Sequence, residues 1–167
     1  MLLKKLPVLL GFACWLLLPF NNFAKQFEVP KTLPPFNMLL SDGVTYYNAS
    51  NIEKNKPLVI IYFDPECQHC QHFTTDILKN SKKFSNIQIV MICCVPGLPP
   101  LQKFVADFGL SKRTNIKVGT EGIYKATLNF YRVSVTPFTA VYNSKAELVK
   151  YYRTVPQIQE LVMQLSK

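Results

Sequence analysis

The run Pro57-Leu-Val-Ile-Ile-Tyr-Phe63 constrains the fold more than any other feature of the sequence. It carries no charge and is rich in β-branched and aromatic residues. Such a continuous apolar run is typical of a β-strand that is buried on both faces. We therefore expect this segment to lie inside an α/β fold, with helices covering the sheet.

The segments after this run predict alternating helices and strands. Two successive strand–helix units indicate a parallel core, and a terminal strand–turn–strand unit adds antiparallel strands to it. The expected elements are helices at 68–80, 101–108, 122–130 and 155–165, and strands at 87–95, 115–118, 138–142 and 148–152.

The segments before the central run predict an extension of the same sheet. Asp42-Gly43 lies between two short apolar runs, 36–40 and 44–47, which is the pattern of a β-hairpin. Prolines in 25–36 favour an extended chain there. A chain of 167 residues is long enough to bury a core without disulfides or metal. We expect one domain, from 25 to 167.

The composition excludes several classes of protein. With 49% hydrophobic residues the chain is too apolar to be disordered, and five cysteines are too few for a disulfide scaffold. Because five is odd, at least one cysteine has no partner within the chain. The net charge is +9, but the lysines are scattered along the sequence. This indicates a solvated basic surface, and no nucleic-acid partner is expected.

Residues 1–24 have the features of a targeting segment. Lys4 and Lys5 precede an apolar run from Leu6 to Phe20, and no acidic residue occurs in these 24 positions. The pattern predicts a signal peptide that is cleaved after export. An uncleaved membrane anchor and a lipoprotein modified at Cys14 are the alternatives. All three export the remaining chain, which leads to an oxidising compartment.

The motif Cys67-Gln68-His69-Cys70 follows the buried strand and opens the predicted helix. The N–H groups and dipole at a helix N-terminus lower the pKa of a thiol, and the thiolate is the attacking species in disulfide exchange. Cys67 is therefore the expected nucleophile, and Cys70, one turn into the helix, the resolving cysteine. His69 is expected to tune the pKa of Cys67, which would make the pair more oxidising. The pair is itself the redox group, so no dissociable cofactor is expected.

Two other interpretations of this motif stay open. The pair could form an inert structural disulfide. Alternatively, thiolates and imidazoles could bind a metal such as copper. Zinc is disfavoured because its sites usually take a second ligand pair far downstream, and the chain has only two histidines. The candidate metal ligands are Cys67, His69, Cys70 and His72.

Cys93 and Cys94 are adjacent at the end of the second buried strand. In a parallel sheet this strand end lies at the same edge as Cys67, and alternation places the two side chains on opposite faces. Free cysteines pack as small hydrophobic residues, which favours two inert thiols. The alternative is a relay in which one of them exchanges with the Cys67–Cys70 disulfide.

These motifs resemble the exported, thioredoxin-fold proteins of the TlpA/ResA-like thiol-disulfide oxidoreductase group, which borders on the AhpC/TSA type. The matching segments are 34–36, 42–43, 56–70 and 135–138. The resemblance implies a thioredoxin fold, with a mixed sheet flanked by helices and an N-terminal hairpin extension. It also implies disulfide exchange with protein partners in the periplasm or another extracytoplasmic space, with membrane contact only through an N-terminal anchor.

The segment Val135-Thr136-Pro137-Phe138 resembles the family's cis-proline loop, which packs beside the cysteine pair. By this resemblance, Thr136 and Pro137 dock the backbone of an extended substrate. An ordinary trans turn before a strand is the alternative.

The sequence departs from this group at two positions. A buried acid of thioredoxins is replaced by Ile61, and a helix glutamate of ResA-like proteins is replaced by Phe73. The proton acceptor for Cys70 is therefore left open among Asp64, Glu66 and His69. A peroxidase of the bordering type is a further alternative, but Asp64 stands where its Thr-x-x-Cys pattern requires threonine.

Overall fold

The computed structural model describes residues 27–165, so the predicted signal or anchor and Cys14 lie outside the described residues. Seven strands form one mixed sheet in the order β2-β1-β5-β4-β3-β6-β7. The strands are β1 (Asn37–Leu40), β2 (Tyr46–Asn48), β3 (Leu58–Phe63), β4 (Gln88–Cys93), β5 (Ile116–Thr120), β6 (Phe138–Tyr142) and β7 (Leu148–Tyr152). The helices are α1 (Gln68–Lys79), α2 (Leu98–Asp107), α3 (Ala126–Tyr131) and α4 (Ile158–Leu165).

The predicted parallel core consists of β3, β4 and β5. Phe63 pairs with Cys93, and Cys93 pairs with Thr120, so the three strands end together at one edge of the sheet. Strands β6 and β7 pair antiparallel with each other, and β6 pairs antiparallel with β3. The mixed sheet expected from the sequence is confirmed.

Every residue of β3 is buried, as its apolar run predicts. Val59, Ile61 and Phe63 face a core built with α1, α2 and α4. The alternating residues Leu58 and Ile60 face a second core, which α3 and the chain segment before β1 help to cover. This two-sided burial fixes the position of the chain where β3 ends and α1 begins.

The hairpin strands β1 and β2 pair antiparallel, and β1 also pairs antiparallel with β5. In the connecting turn, the Asp42 carboxylate accepts hydrogen bonds from the N–H groups of Val44 and Thr45. Where β1 meets β5, a Cβ on Gly119 would lie 2.7 Å from the Leu39 carbonyl oxygen. Glycine is thus required for this close approach.

Several element boundaries differ from the sequence-based expectation. Helix α2 begins at Leu98 rather than 101, because prolines are compatible with the first turn of a helix, whose N–H groups have no partner within the helix. Helix α3 begins at Ala126 rather than 122, since Gly122 and Lys125 both have left-handed backbone conformations. Helix α4 begins at Ile158 rather than 155. In the described part of the chain no helix is both long and apolar enough to cross a membrane.

Candidate active site

A tight turn between β3 and α1 presents the first cysteine of the motif. The Asp64 carboxylate accepts a hydrogen bond from the Glu66 N–H at 2.9 Å, and the Cys67 N–H donates to the Asp64 carbonyl at 3.2 Å. Cys67 is consequently the N-cap residue of α1, and its side chain caps no backbone N–H. Its sulfur lies where the N–H groups of the first turn can stabilise a negative charge.

The two cysteines of the motif differ in burial as expected. Both are free thiols; Cys67 is half-buried, whereas Cys70 is only 2% exposed and packs in the core beneath α1. The Thr136–Pro137 peptide bond is cis, as the resemblance implies. The loop lies beside the motif, with the Cys67 Sγ 3.8 Å from the Thr136 carbonyl oxygen. The structure thus brings Cys67, Cys70 and Thr136 together.

The environment of Cys67 favours the thiolate. Burial alone would raise the pKa of Cys67, but hydrogen bonds from the Cys70 backbone and thiol, the Thr136 hydroxyl and the His69 backbone outweigh it. The pKa of Cys67 is therefore lower than the ordinary value for a cysteine. A lowered pKa increases the fraction of attacking thiolate at neutral pH.

The environment of Cys70 has the opposite effect. Burial is the main cause that raises the pKa of Cys70 to about 12, and the nearby Cys67 sulfur adds to it, while hydrogen bonds from the Asp64 backbone and the Thr136 hydroxyl counteract it. The Cys70 thiol thus keeps its proton and donates a hydrogen bond to the Cys67 sulfur. The contact between the pair and the cis-proline loop is that of the Cys67 Sγ with the Thr136 carbonyl oxygen, and the Thr136 hydroxyl lowers the pKa of both thiols.

The side chains of His69 and His72 are exposed, and the hydrogen bond that reaches Cys67 from His69 comes from its backbone. Ile61 and Phe73 are buried in the same core as Cys70, so apolar side chains occupy both positions where related proteins carry an acid. Of the three candidate proton acceptors, Asp64 alone contacts Cys70, and it does so through its backbone.

Cys93 and Cys94 lie on opposite faces of the sheet, as strand alternation predicts. Cys93 shares the core of Cys70, and its sulfur accepts a hydrogen bond from the Val95 N–H at 3.4 Å. Burial raises the pKa of Cys93 to about 12. Burial and then the Asp64 carboxylate raise the pKa of Cys94 to about 11. Neither thiol is an effective nucleophile at neutral pH.

The structure also reveals a buried carboxyl group that the sequence analysis missed. Glu121, at the end of β5, is 4% exposed, and its carboxylate accepts hydrogen bonds from the Thr127 N–H and hydroxyl. Burial raises the pKa of Glu121, although the bonds from Thr127 oppose this. A glutamate directly after a buried strand was the only available signal, since the spacing to Thr127 has no recognised pattern.

The alternative of a metal site has a geometric test. Among residues 27–165, no three or more His, Cys, Asp or Glu side chains are grouped so that they could hold a metal ion. This includes the candidate set Cys67, His69, Cys70 and His72. The described thiols and imidazoles therefore do not form a site with three or more protein ligands.

Comparison with known proteins gives the fold its name. Neither a protein-family model nor a curated protein sequence matches the chain. Among solved structures, a secreted disulfide oxidoreductase of Mycobacterium tuberculosis, described as homologous to E. coli DsbE, aligns with a TM-score of 0.65 at 16% identity, over 79% of this chain and 95% of that one. MTB dsbF aligns with a TM-score of 0.67 at 17% identity, over 83% and 98%.

A thiol-disulfide oxidoreductase from Bacteroides fragilis aligns with a TM-score of 0.64 at 12% identity, over 84% of this chain and 98% of that one. These structures are matched over nearly their whole length. Together with the strand order, the β3–α1 junction and the cis-proline loop, they define the class: the chain has a thioredoxin fold.

Proposed function

We propose that this protein is an exported thiol-disulfide oxidoreductase of the TlpA/ResA-like type, which exchanges disulfides with protein partners in an extracytoplasmic space. The observation that carries the proposal is the arrangement of Cys67. Its half-exposed thiol has a lowered pKa, contacts the Thr136 carbonyl at 3.8 Å and lies next to the buried thiol of Cys70. The expected nucleophile and docking loop are thus neighbours, and the expected resolving thiol lies buried beside them.

The exchange transfers two electrons in two steps. The Cys67 thiolate attacks one sulfur of the partner's disulfide, forming a mixed disulfide and releasing one partner thiolate. Cys70 then loses its proton and attacks the Cys67 Sγ. The Cys67–Cys70 disulfide forms, and the second partner thiolate leaves. The partner is reduced by two electrons and this protein is oxidised; the reverse sequence oxidises a partner dithiol.

The second step must remove the proton that Cys70 holds tightly. No acidic side chain replaces the missing acids at Ile61 and Phe73. The Thr136 hydroxyl lowers the pKa of both thiols, and we propose that it passes the proton from Cys70 toward the departing partner thiolate. Asp64, Glu66 and His69 would act on this proton only through intervening water.

The cis-proline loop offers an edge to which an extended partner segment can bind. Among residues 27–165, the Thr136 N–H donates no hydrogen bond. Val135, just before it, is 52% exposed, and Pro137 is buried beneath the loop. A partner strand that accepts from the Thr136 N–H would place its disulfide against Cys67.

His69 has a supporting role in the proposal, whereas Cys93 and Cys94 are inert thiols unless a relay operates. His69 tunes Cys67 through its backbone N–H. A relay would use Cys93, because this thiol shares the core of Cys70, whereas Cys94 faces the other side of the sheet. Equal alkylation of Cys93 with the Cys67–Cys70 pair oxidised or reduced would exclude the relay.

The proposal is tested by turbidimetric insulin reduction with dithiothreitol as the electron source. Cys67→Ser should abolish the catalysed rate. Mixed with insulin without dithiothreitol, Cys70→Ser should accumulate a mixed disulfide, because the resolving thiol is absent. Adding dithiothreitol should release it. Cys94→Ser is the matched control and should retain the rate. Full activity in Cys67→Ser would overturn the proposal, and fractionation of cells that express the full chain tests export separately.

A further inference from the structure

The cations that are scattered along the sequence collect at one end of the folded sheet. This end, which we name the basic end, is where β3, β4 and β5 begin and where β6 turns into β7. The cations of the segments that meet there are Lys54, Lys56, Lys79, Lys82, Lys83, Lys112, Arg113 and Lys145. The acids of the same segments are Glu53, Asp76 and Glu147.

The positive charge at the basic end is mostly uncompensated within the protein. Of its cations, Lys56 alone forms a salt bridge among the described residues, with Glu53 at 3.0 Å. The other seven have exposed side chains. Elsewhere in residues 27–165 cations and acids are equal in number, so the surplus positive charge belongs to this end. Uncompensated charge of one sign on one face attracts an oppositely charged surface.

The basic end also contains a cavity that suits an amphiphile. Its volume is about 340 Å³, and Lys82, Lys112 and Arg113 lie at its rim. Its apolar lining includes the buried side chains of Ile77, Phe84 and Ile116. Such a combination can hold a phosphate at the rim and the start of an acyl chain below it.

We propose that the basic end docks on a membrane containing anionic phospholipid, with one lipid headgroup held by Lys82, Lys112 and Arg113. A phospholipid fits better than a nucleic acid because the lining between these cations is apolar and no aromatic side chain is exposed there for base stacking. The sequence had indicated membrane contact through the N-terminal segment alone. Docking through the folded domain is a separate contact.

The docking geometry orients the active site away from the membrane. Strand β3 runs from the basic end to Cys67, and its six residues span about 20 Å. That distance exceeds the screening length of about 8 Å at physiological ionic strength, so lipid charge does not disturb the Cys67 thiolate. The cis-proline loop then faces the aqueous space, where protein partners are found.

Vesicle flotation of the full chain tests the docking. Vesicles of phosphatidylcholine with one quarter phosphatidylglycerol should bind more protein than pure phosphatidylcholine, and salt should remove the difference. The triple variant Lys82→Gln, Lys112→Gln, Arg113→Gln should reduce the phosphatidylglycerol-dependent partition coefficient about 100-fold. The reason is that each cation near an anionic surface strengthens binding about fivefold. The matched control, Lys103→Gln, Lys125→Gln, Lys150→Gln, loses the same charge elsewhere and should retain most binding.

Lysine acetylation of the unmodified full chain gives an independent readout, because it requires no variant to fold. Phosphatidylglycerol vesicles should protect Lys82, Lys83 and Lys112, while Lys103 and Lys150 stay reactive. Equal losses in both triple variants, or no selective protection, would overturn the proposal. Equally strong binding of a DNA oligonucleotide would also overturn it, as would full competition by millimolar inorganic phosphate, which would identify a free-phosphate site.

Discussion

The four described cysteines should react with iodoacetamide in an order set by their environments. At pH 8, Cys67, whose pKa lies below the ordinary value of 9, is more than about 9% thiolate. Cys70, with a pKa of about 12, is thiolate in only about one molecule in ten thousand. The thiolate populations therefore differ by at least about a thousandfold.

Intrinsic nucleophilicity offsets part of this difference. A thiolate of higher pKa attacks faster, and a Brønsted coefficient near 0.45 over about three pKa units returns about 20-fold to Cys70. The net expectation is that Cys67 reacts at least about 50 times faster, before the steric protection of a thiol that is 2% exposed. Cys93 and Cys94 should also react slowly, since burial raises the pKa of each.

The assay is timed alkylation of the reduced protein, followed by mass spectrometry of peptides that separate the cysteines. The rate at Cys70 should rise about tenfold per pH unit between pH 7 and pH 10, whereas the rate at Cys67 should level off at a lower pH. As a control, the Cys67→Ser variant gives the alkylation rate of Cys70 when the neighbouring Cys67 sulfur is absent. Equal rates at Cys67 and Cys70 at pH 8, or faster reaction of Cys70, would refute the assignment of nucleophile and resolving thiol.

Three substitutions test other contacts. Thr136→Val removes the hydroxyl that lowers the pKa of both thiols. Losing about 1 kcal/mol of thiolate stabilisation should shift the reduction potential, measured against glutathione, by about 20 mV toward reducing values, and an unchanged potential would contradict this role. Asp64→Asn should lower the pKa of Cys94, and it should speed the alkylation of Cys94 more than that of Cys93. Gly119→Ala should destabilise the protein by about 2 kcal/mol in urea unfolding, since its Cβ would meet a β1 carbonyl; unchanged stability would argue against this close approach.

The central strands could be predicted because a strand that is buried on both faces has an uninterrupted run of apolar residues in the sequence. Strand β3 is buried on both faces, so its apolar run is continuous and its limits are clear. The start of helix α3 was predicted less well: Gly122 and Lys125 both have left-handed backbone conformations, so the helix begins at Ala126 rather than 122. Similarly, the predicted helix at 101–108 left out the prolines before it, which occupy the first turn of α2.

The part of the site that depends on residues close together in the sequence could be predicted. The position of Cys67 at the start of a helix and the deeper burial of Cys70 follow from their spacing. Contacts between distant segments do not follow from spacing. The contact of the Cys67 sulfur with the Thr136 carbonyl, the Asp64 carboxylate beside Cys94 and the Glu121 carboxylate bound to Thr127 arise only when strand ends meet. Side-chain position at a sheet edge depends on packing, which spacing does not specify.

The direction of electron flow depends on what stabilises the reduced form. The sequence pointed to the His69 imidazole as the source of an oxidising bias, but this side chain is exposed, and water screens its charge. The groups that lower the pKa of Cys67 are backbone N–H groups of the first helical turn, the Cys70 thiol and the Thr136 hydroxyl. Since backbone N–H groups are common to every cysteine at a helix start, the features particular to this protein are the Thr136 hydroxyl and the proton held by Cys70. We therefore expect the Thr136 side chain, in the cis-proline loop, to influence the reduction potential, and the Thr136→Val measurement tests this expectation.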